Sequence, residues 1–469
     1  MDDTMKIIDD VKNVWNNLTK LKYRTIDPSD TSQRPIFISH KSEDRELNTT
    51  DRERLIEAAR DVERNFSLAG FAVRKHLQSV AYYQFHDDTP DVQFNNRLTG
   101  LVDRWKETCD ITGRHCFDDL IYIVERLRLI DGDVALLRTS DNKIQVIEGD
   151  RLKDPQIPEQ GENWVHGVKV DNVGKAVEYA VWDRGVNGGN LVFQTTLPAD
   201  NIDLLGYYTR SDQARGISPL APAIRMFSLL EDALNLALAK AKVEQSIGLV
   251  TKLIGDSQLA PNPVPIAERE KGIDQAARET FGRGILHLSL KDGEEASLLT
   301  SNNPSTNFLQ FSEQVIRLVF AALDIPYSFY DGSATTFFSG RGELEQYLDS
   351  VERKQQATIR MLNRWIRDWL VPNWLLSGEL DLPAGLSLND VLLNVGWSGA
   401  GLPTWRLLEY SKDAATAIQL GLISPTELIE SYGYNPRKNL QDTAEFIRLA
   451  NELGIQLPFG EAPKTNIGL

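Results

Sequence analysis

Residues 215–246 read RGISPLAPAIRMFSLLEDALNLALAKAKVEQS. Ser218 followed by Pro219 is a helix-start signal, a capping hydroxyl ahead of a residue whose fixed φ suits the first turn. The Leu- and Ala-rich run behind it predicts a helix to about Gln245. A second helix is predicted over residues 306–323, TNFLQFSEQVIRLVFAAL. Between them lies a compact insert: a β-like run at Ile247–Ile254, a Pro-punctuated stretch (Pro261, Pro263, Pro265), a short helix at Ile273–Thr280 and a strand at Gly284–Leu290. Two helices flanking a small insert make a stalk rather than a pocket.

C-terminal to the stalk, Ile325–Gly342 has almost no burial pattern and reads as a loop, IPYSFYDGSATTFFSGRG. The longest periodic helix follows it, with Leu344, Leu348, Val351, Gln355, Thr358, Leu362, Trp365 and Trp369 stepping by four and three. Pro372 marks its end or a kink. From Pro403 to Leu457 several short helices are expected, with Ser424-Pro425 as a further helix start.

N-terminal to the stalk, residues 1–50 are polar and mixed. Asp51 is placed as the cap of a helix with apolar positions Leu55, Ala58, Ala59, Val62 and Phe66. Further helices are predicted at Leu68–Val80, Arg97–Thr108 and Phe117–Leu129, the last with Asp118, Glu125 and Arg126 facing outward. Residues 131–210 switch to short β-like runs: Val134–Arg138, Lys143–Ile147, Val165–Val170, Ala176–Trp182 and Asn190–Thr196. Asp-Gly, Asn-Gly and Gly-Gly turn signals there predict a mostly antiparallel region.

The 469 residues suffice for two or three cores, and 41% hydrophobic with 25% charged residues excludes disorder as the main state. Fifty-one bases against 67 acids give a formal charge of −16, a surface that repels phosphate on average. Cys109 and Cys116 are the two cysteines, which rules out a disulfide scaffold and fits a reducing compartment. The opening apolar residues Met5, Ile7 and Ile8 are interrupted by Asp9, Asp10 and Lys12, unlike a secretion signal. No run reaches the length of a membrane span, so no membrane contact is expected.

Catalytic motifs are absent from the sequence: no phosphate-binding G-x-x-x-x-G-K-[ST], no H-E-x-x-H, no G-x-S-x-G and no G-x-G-x-x-G opening a helix. The six histidines are scattered. Cys109, His115 and Cys116 lack a fourth ligand and paired spacing, and Asp131-Gly132-Asp133 reads as a turn between helix and strand. No metal, cofactor or catalytic residue is expected. The adjacent Phe337 and Phe338, within Ser333, Thr335, Thr336, Ser339 and Arg341, either tuck into a neighbouring domain or project at an interface or into a channel. Lys240 and Lys242 are helix-end cations that in a channel would face phosphates.

Six pieces of the chain, in order, resemble the tailed-bacteriophage portal proteins, most closely the lambda-type branch. They are Arg54–Leu77 (RLIEAARDVERNFSLAGFAVRKHL), Trp105–Gly132 (WKETCDITGRHCFDDLIYIVERLRLIDG), Val165–Tyr179 (VHGVKVDNVGKAVEY) and Arg215–Leu220 (RGISPL). The block Phe320–Tyr327 (FAALDIPY) with Ser339–Tyr347 (SGRGELEQY) and the segments Val395–Pro403 and Ala415–Tyr434 complete the set. Two departures stand out: Ser339-Gly340-Arg341-Gly342 replaces the family's S-S-x-R, and the C-terminal extension of some members is missing.

The resemblance implies an α+β portal-like fold: wing 1–217, first stem helix 218–246, clip 247–303, second stem helix 304–324, tunnel loop 325–342, long helix and return to the wing 343–399, and helical crown 400–469. It further implies a homo-oligomeric ring of about twelve subunits at one capsid vertex, assembled in the host bacterial cytoplasm. Double-stranded DNA would pass through the ring in packaging and ejection. The terminase large subunit and head–tail adaptor would dock on it, and the major capsid and scaffold proteins would surround it. The tunnel loop, with Ser333, Thr335, Thr336, Phe337, Phe338, Ser339 and Arg341, and Lys240 and Lys242 of the stem, would face the DNA. The rival readings are another phage head-assembly component and a metal-dependent enzyme acting on DNA.

Overall fold

The computed structural model describes residues 42–156, 162–185, 188–246, 250–253, 294–297, 306–333, 337–385, 387–399, 414–431, 434, 436–455 and 457. The chain divides into two compact units, residues 1–228 with 315–469, and residues 229–314. Its elements run α1 (Thr49–Asn65), α2 (Ser67–Val80), β1 (Tyr83–Asp87), α3 (Val92–Thr108), α4 (Phe117–Asp131), β2 (Asp133–Arg138), β3 (Ile144–Glu148), β4 (Trp164–Val165), β5 (Val168–Val170), β6 (Ala176–Asp183), β7 (Val192–Pro198) and β8 (Ile202–Gly206). There follow α5 (Ala221–Ser246), β9 (Val250–Leu253), β10 (Glu294–Ser297), α6 (Thr306–Ala321), α7 (Phe337–Trp365), α8 (Val371–Ser377), α9 (Leu388–Asn394), β11 (Val395–Gly399), α10 (Pro425–Ser431) and α11 (Pro436–Glu452). The expected short helix at Ile273–Thr280, the strand at Gly284–Leu290 and the prolines near 263 lie outside the described residues.

The main core of the first unit lies between α3, α4 and α7, closed by the ribbon of β1 and β11. Phe117, Leu120, Val124, Leu362, Trp365, Trp369 and Trp397 are buried there. Phe117 stacks on Trp397, and Trp369 meets both Trp105 and Trp365 edge-on. The stripe Val351, Gln355, Thr358, Leu362, Trp365 and Trp369, read from three-and-four spacing, is buried throughout. A smaller core joins the three-stranded sheet β3-β2-β8 to the four-stranded sheet β4-β5-β6-β7 through Ala135, Ile147, Val168, Tyr179 and Val181. Every strand pairing in the named sheets is antiparallel.

Several boundaries differ from the sequence reading for local reasons. Asn48, not Asp51, caps α1: its side chain accepts from the Asp51 amide, and Asp51 sits inside the first turn. Asp91 caps α3 in the same way and starts it at Val92 rather than Arg97. The run Val165–Val170 is a hairpin, not one strand, because His166 and Gly167 turn the chain with φ of 49° and 86°.

Glu125, expected to face outward, is buried and hydrogen-bonded inside the core. Ser218-Pro219 precedes the helix instead of opening it. The Ser218 hydroxyl donates to the Leu129 carbonyl, and the first helical residue is Ala221. Pro372 neither ends nor breaks the long helix. It cannot donate to the carbonyl of residue 368, and the chain absorbs the defect in a π turn at Ile366–Leu370 before continuing as α8. Ser424 does cap α10: the Glu427 amide donates to its hydroxyl and the Glu427 carboxylate accepts from the Ser424 amide.

Candidate functional site

The turn Asp131-Gly132-Asp133, read from sequence as an ordinary connection, is where the resembling segments converge. Gly132 has φ 95° and its amide caps α4 at the Arg128 carbonyl. A Cβ there would lie 2.6 Å from the Ser218 amide nitrogen, and one on Gly216 would lie 2.3 Å from the Gly132 carbonyl oxygen. Only glycine fits at either position, so the segment entering α5 crosses directly over the turn.

The Asp133 carboxylate accepts from Arg215 Nε at 2.7 Å and Nη2 at 2.7 Å, from Arg52 Nη2 at 3.0 Å and from the Gly216 amide at 2.7 Å. Arg215 spends its remaining donors on the carbonyls of Gly149, Leu152 and His166, and Arg52 donates to Gly216. The side chains of Asp133 and Arg215 are both fully withdrawn from solvent. Burial alone would push the Asp133 carboxyl up. The guanidinium groups of Arg215 and Arg52 overcome it and hold the group below the usual carboxylate range. Arg52, by burial and then by Arg215 beside it, is lowered to about 10. On the outer side Arg60 grips Asp131 through Nε at 2.8 Å and also reaches Glu148 and Asp150.

A second buried polar group ties α4 to α7. Glu125 accepts from Tyr83 Oη at 2.8 Å, from the Thr358 hydroxyl at 2.5 Å and from Arg128 Nη1 at 3.2 Å. Arg128 continues to the Lys354 carbonyl at 3.1 Å and lies 4.3 Å from the centre of the Tyr207 ring. The only sequence signal for this network was the i,i+3 pair of Glu125 and Arg128.

The root of the segment after α6 is anchored aromatic by aromatic. Phe320 stacks on Phe71, and Tyr330 meets both edge-on. The Arg317 guanidinium sits 4.3 Å over the Tyr327 ring, and Phe329 meets Tyr347 edge-on. Ser328 hydrogen-bonds the Glu343 carboxylate. Lys354 Nζ closes the end of α6, donating to the Leu323 carbonyl at 2.8 Å and pairing with Asp324 at 2.8 Å, and Asp324 itself has φ 59°.

Of the residues singled out from sequence, Ser333 is exposed and its amide donates to the Asp331 carboxylate. Thr335 and Thr336 lie outside the described residues. Phe337, Phe338, Ser339 and Arg341 do not continue the loop: their backbone forms the opening turns of α7, six residues ahead of the expected start. Gly340 and Gly342 each cost only about 1 kcal/mol in a helix, which the long buried stripe behind them offsets. Lys240 and Lys242 fall in the last two turns of α5.

The cysteine cluster is organised by Asp110, not by a shared ligand. The Asp110 carboxylate accepts from the amides of Thr112, Arg114 and His115. Burial pushes the Cys109 thiol up to about 12. Among the described residues no group of His, Cys, Asp and Glu is arranged to hold a metal ion, and no helix is long and apolar enough to cross a membrane.

Residues 30–355 match the sequence model of phage portal proteins, lambda family, and the chain belongs to that family. A relative from Halomonas phage phiHAP-1, named a probable portal protein, is 25% identical over 386 residues, which is 77% of this chain and 72% of the relative. Among solved structures, a chain in the neck of a native gene transfer agent particle computed with C12 symmetry is 15% identical. It covers 89% of this chain and 99% of that one, with a TM-score of 0.47. An HK97-family phage portal protein from Corynebacterium diphtheriae is 13% identical over 65% of this chain and 90% of its own, with a TM-score of 0.33. The protein is a structural phage portal protein.

Proposed function

We propose that the chain assembles into a ring of about twelve copies at one capsid vertex of the virion, put together in the host cytoplasm, and that double-stranded DNA is packaged and ejected through its centre. Residues 1–217 and 343–399 serve as the wing, 218–246 and 304–324 as the stem, 247–303 as the clip, 325–342 as the tunnel segment and 400–469 as the crown. The terminase large subunit supplies ATP hydrolysis from outside, since the chain's sequence carries no phosphate loop. The head–tail adaptor follows it, and the major capsid and scaffold proteins surround the wing. No catalytic role is assigned.

One observation carries the ring. Leu229, Leu234, Leu236 and Leu238 of α5 are all exposed, Leu236 at 71%. Residues two apart on a helix stand about 200° from each other, so Leu234, Leu236 and Leu238 leave apolar surface on opposite sides. A soluble helix apolar on both sides needs a cover on both sides, and a closed ring gives each copy two neighbours.

By the family resemblance, Phe337, Phe338 and Arg341 would form the narrowest ring around the DNA, with Ser333, Thr335, Thr336 and Ser339 beside them and Lys240 and Lys242 further along the stem. The net charge of each copy keeps the DNA from adhering as it slides. The deciding experiment is the mass and top-view symmetry of the purified protein, by light scattering and negative-stain microscopy. Rings of about twelve with a central hole are expected. A stable 52.8 kDa monomer with no tendency to assemble overturns the reading.

A further inference from the structure

Between Glu352 and Asp368, residues 353–367, running from α7 into the π turn, hold five basic side chains and no acid, inside a chain where acids outnumber bases by sixteen. Lys354 is used internally, at the end of α6. The other four, Arg353, Arg360, Arg364 and Arg367, are exposed, as is Gln356 among them. Their steps of seven, four and three keep them on one side of the helix. Fourteen residues at 1.5 Å each make a row about 21 Å long.

The row is under-neutralised. Arg364 pairs with Asp203, but Asp203 also faces Arg138 at 3.2 Å and accepts from the Trp365 indole. Arg367 donates Nε to the Asn363 carbonyl, a neutral partner. Arg353 and Arg360 form no ion pair among the described residues. A helix dipole favours cations in its last turn, but this helix runs on through the π turn into α8, so no helix end accounts for the row. The buried stripe on the opposite side fixes the helix in place, so the row is a rigid feature.

We propose that this arginine row docks the phosphate backbone of double-stranded DNA, an assignment that rests on the portal reading. Guanidinium groups pair with phosphate oxygens through two parallel N–H donors. About 21 Å of duplex offers roughly a dozen phosphates on its two strands, so a straight row of four arginines has a phosphate within reach of each guanidinium where either strand faces it. A linear polyanion matches a linear row, whereas an acidic protein surface presents scattered carboxylates and is matched by a cluster. On a body that otherwise repels DNA, the row is a local grip whose strength is set by salt.

The test uses the full chain and a 40-base-pair duplex of arbitrary sequence. Binding is followed by fluorescence anisotropy from 50 to 200 mM KCl, and assembly is followed on the same samples by negative stain. Arg353→Gln, Arg360→Gln and Arg367→Gln are combined, and Arg364 is kept because it is tied to Asp203. The expected result is a log–log salt slope shallower by about 2.7 per engaged copy, three phosphates at about 0.9 each, with assembly unchanged. An unchanged slope, or no DNA binding by the wild-type chain, overturns the proposal and leaves the row a solvated face. Loss of assembly with the slope intact also overturns it and makes the row a contact between copies. Absence of rings in the wild type overturns the portal reading separately, while the slope comparison on whatever species forms still decides the row.

Discussion

The junction around Asp133 and the exposed leucines of α5 handle unfavourable surface in opposite ways. At the junction, a carboxylate and two guanidinium groups are taken wholly out of water, and nearly every lone pair and N–H finds a partner within the same chain. On α5, Leu236 and Leu238 are exposed. The first region is finished by folding. In the proposed ring the second is finished by association, and the difference separates what the chain must do alone from what its proposed neighbours do for it.

The largest effect is expected from breaking the finished region. Arg215→Ala leaves the Asp133 carboxylate buried with Arg52 as its one remaining guanidinium partner and takes the Arg215 donors from the carbonyls of Gly149, Leu152 and His166. Removing one partner of a buried pair costs roughly 3–5 kcal/mol, so the denaturant midpoint should fall sharply. Arg215→Lys keeps the charge but loses the planar fork, and should fall between the two. A midpoint within about 0.5 kcal/mol of wild type for Arg215→Ala would mean that the cluster is not what joins α5 to the sheet.

The unfinished region predicts the reverse. Leu236→Asp with Leu238→Asp should leave the unfolding of the isolated chain unchanged, because both leucines are already hydrated there. Each buried leucine contributes roughly 1.5–3 kcal/mol to association, and a ring has that loss at every interface. Sedimentation velocity should therefore show rings replaced by single chains. Intact rings would place the leucines outside the interfaces between copies.

A smaller effect distinguishes a buried group with incomplete partners from the finished cluster. His76 is lowered from 6.5 to about 3 by burial, with Lys354 and Arg128 adding to it. Its Nδ1 has no partner among the described residues, and Nε2 lies 3.5 Å from the Tyr207 hydroxyl. The unfolded chain takes up this proton below about pH 6.5 and the folded chain does not until about 3. The contribution is therefore fully present above 6.5 and is lost as pH falls, by about 1.4 kcal/mol per unit. His76→Asn should flatten the wild-type stability curve by that slope between pH 6 and 4. Parallel curves would mean that His76 charges without opening the core.

The two regions also differ in how far the sequence disclosed them. Helix α5 was legible because the Leu–Ala run is a local signal, and the stripe from Val351 to Trp369 because its spacing is periodic. The junction was not, since its partners Arg52, Asp133 and Arg215 stand more than 80 residues apart and each has an ordinary local explanation. Glu125 was misread for the same reason: its helix position is unremarkable until Tyr83 and Thr358 arrive from distant elements. The pairing of β1 with β11, which joins Tyr83 to Gly399, left no local trace either. The opening turns of α7 were missed because residues 337–342 carry no burial pattern to mark them as helix. Runs and periodic stripes are local and readable, while polar clusters built from distant residues become visible only in the tertiary structure.

The smallest expected effect sets the scale for the others. Arg97 and Asp381 form an ion pair at 3.1 Å, much like the 3.0 Å of Arg52 and Asp133, but their side chains are 58% and 72% exposed against 7% and 0%. In water the Coulomb gain is small, the ordering of two mobile side chains offsets part of it, and salt screens the remainder. Arg97→Ala should therefore shift the unfolding free energy by no more than about 0.5 kcal/mol, and the shift should vanish in 1 M salt. Arg215→Ala should keep most of its cost in the same buffer, because ions cannot reach the Asp133 carboxylate. If the two variants responded alike to salt, burial would not be what separates them, and the junction would be no more finished than the surface.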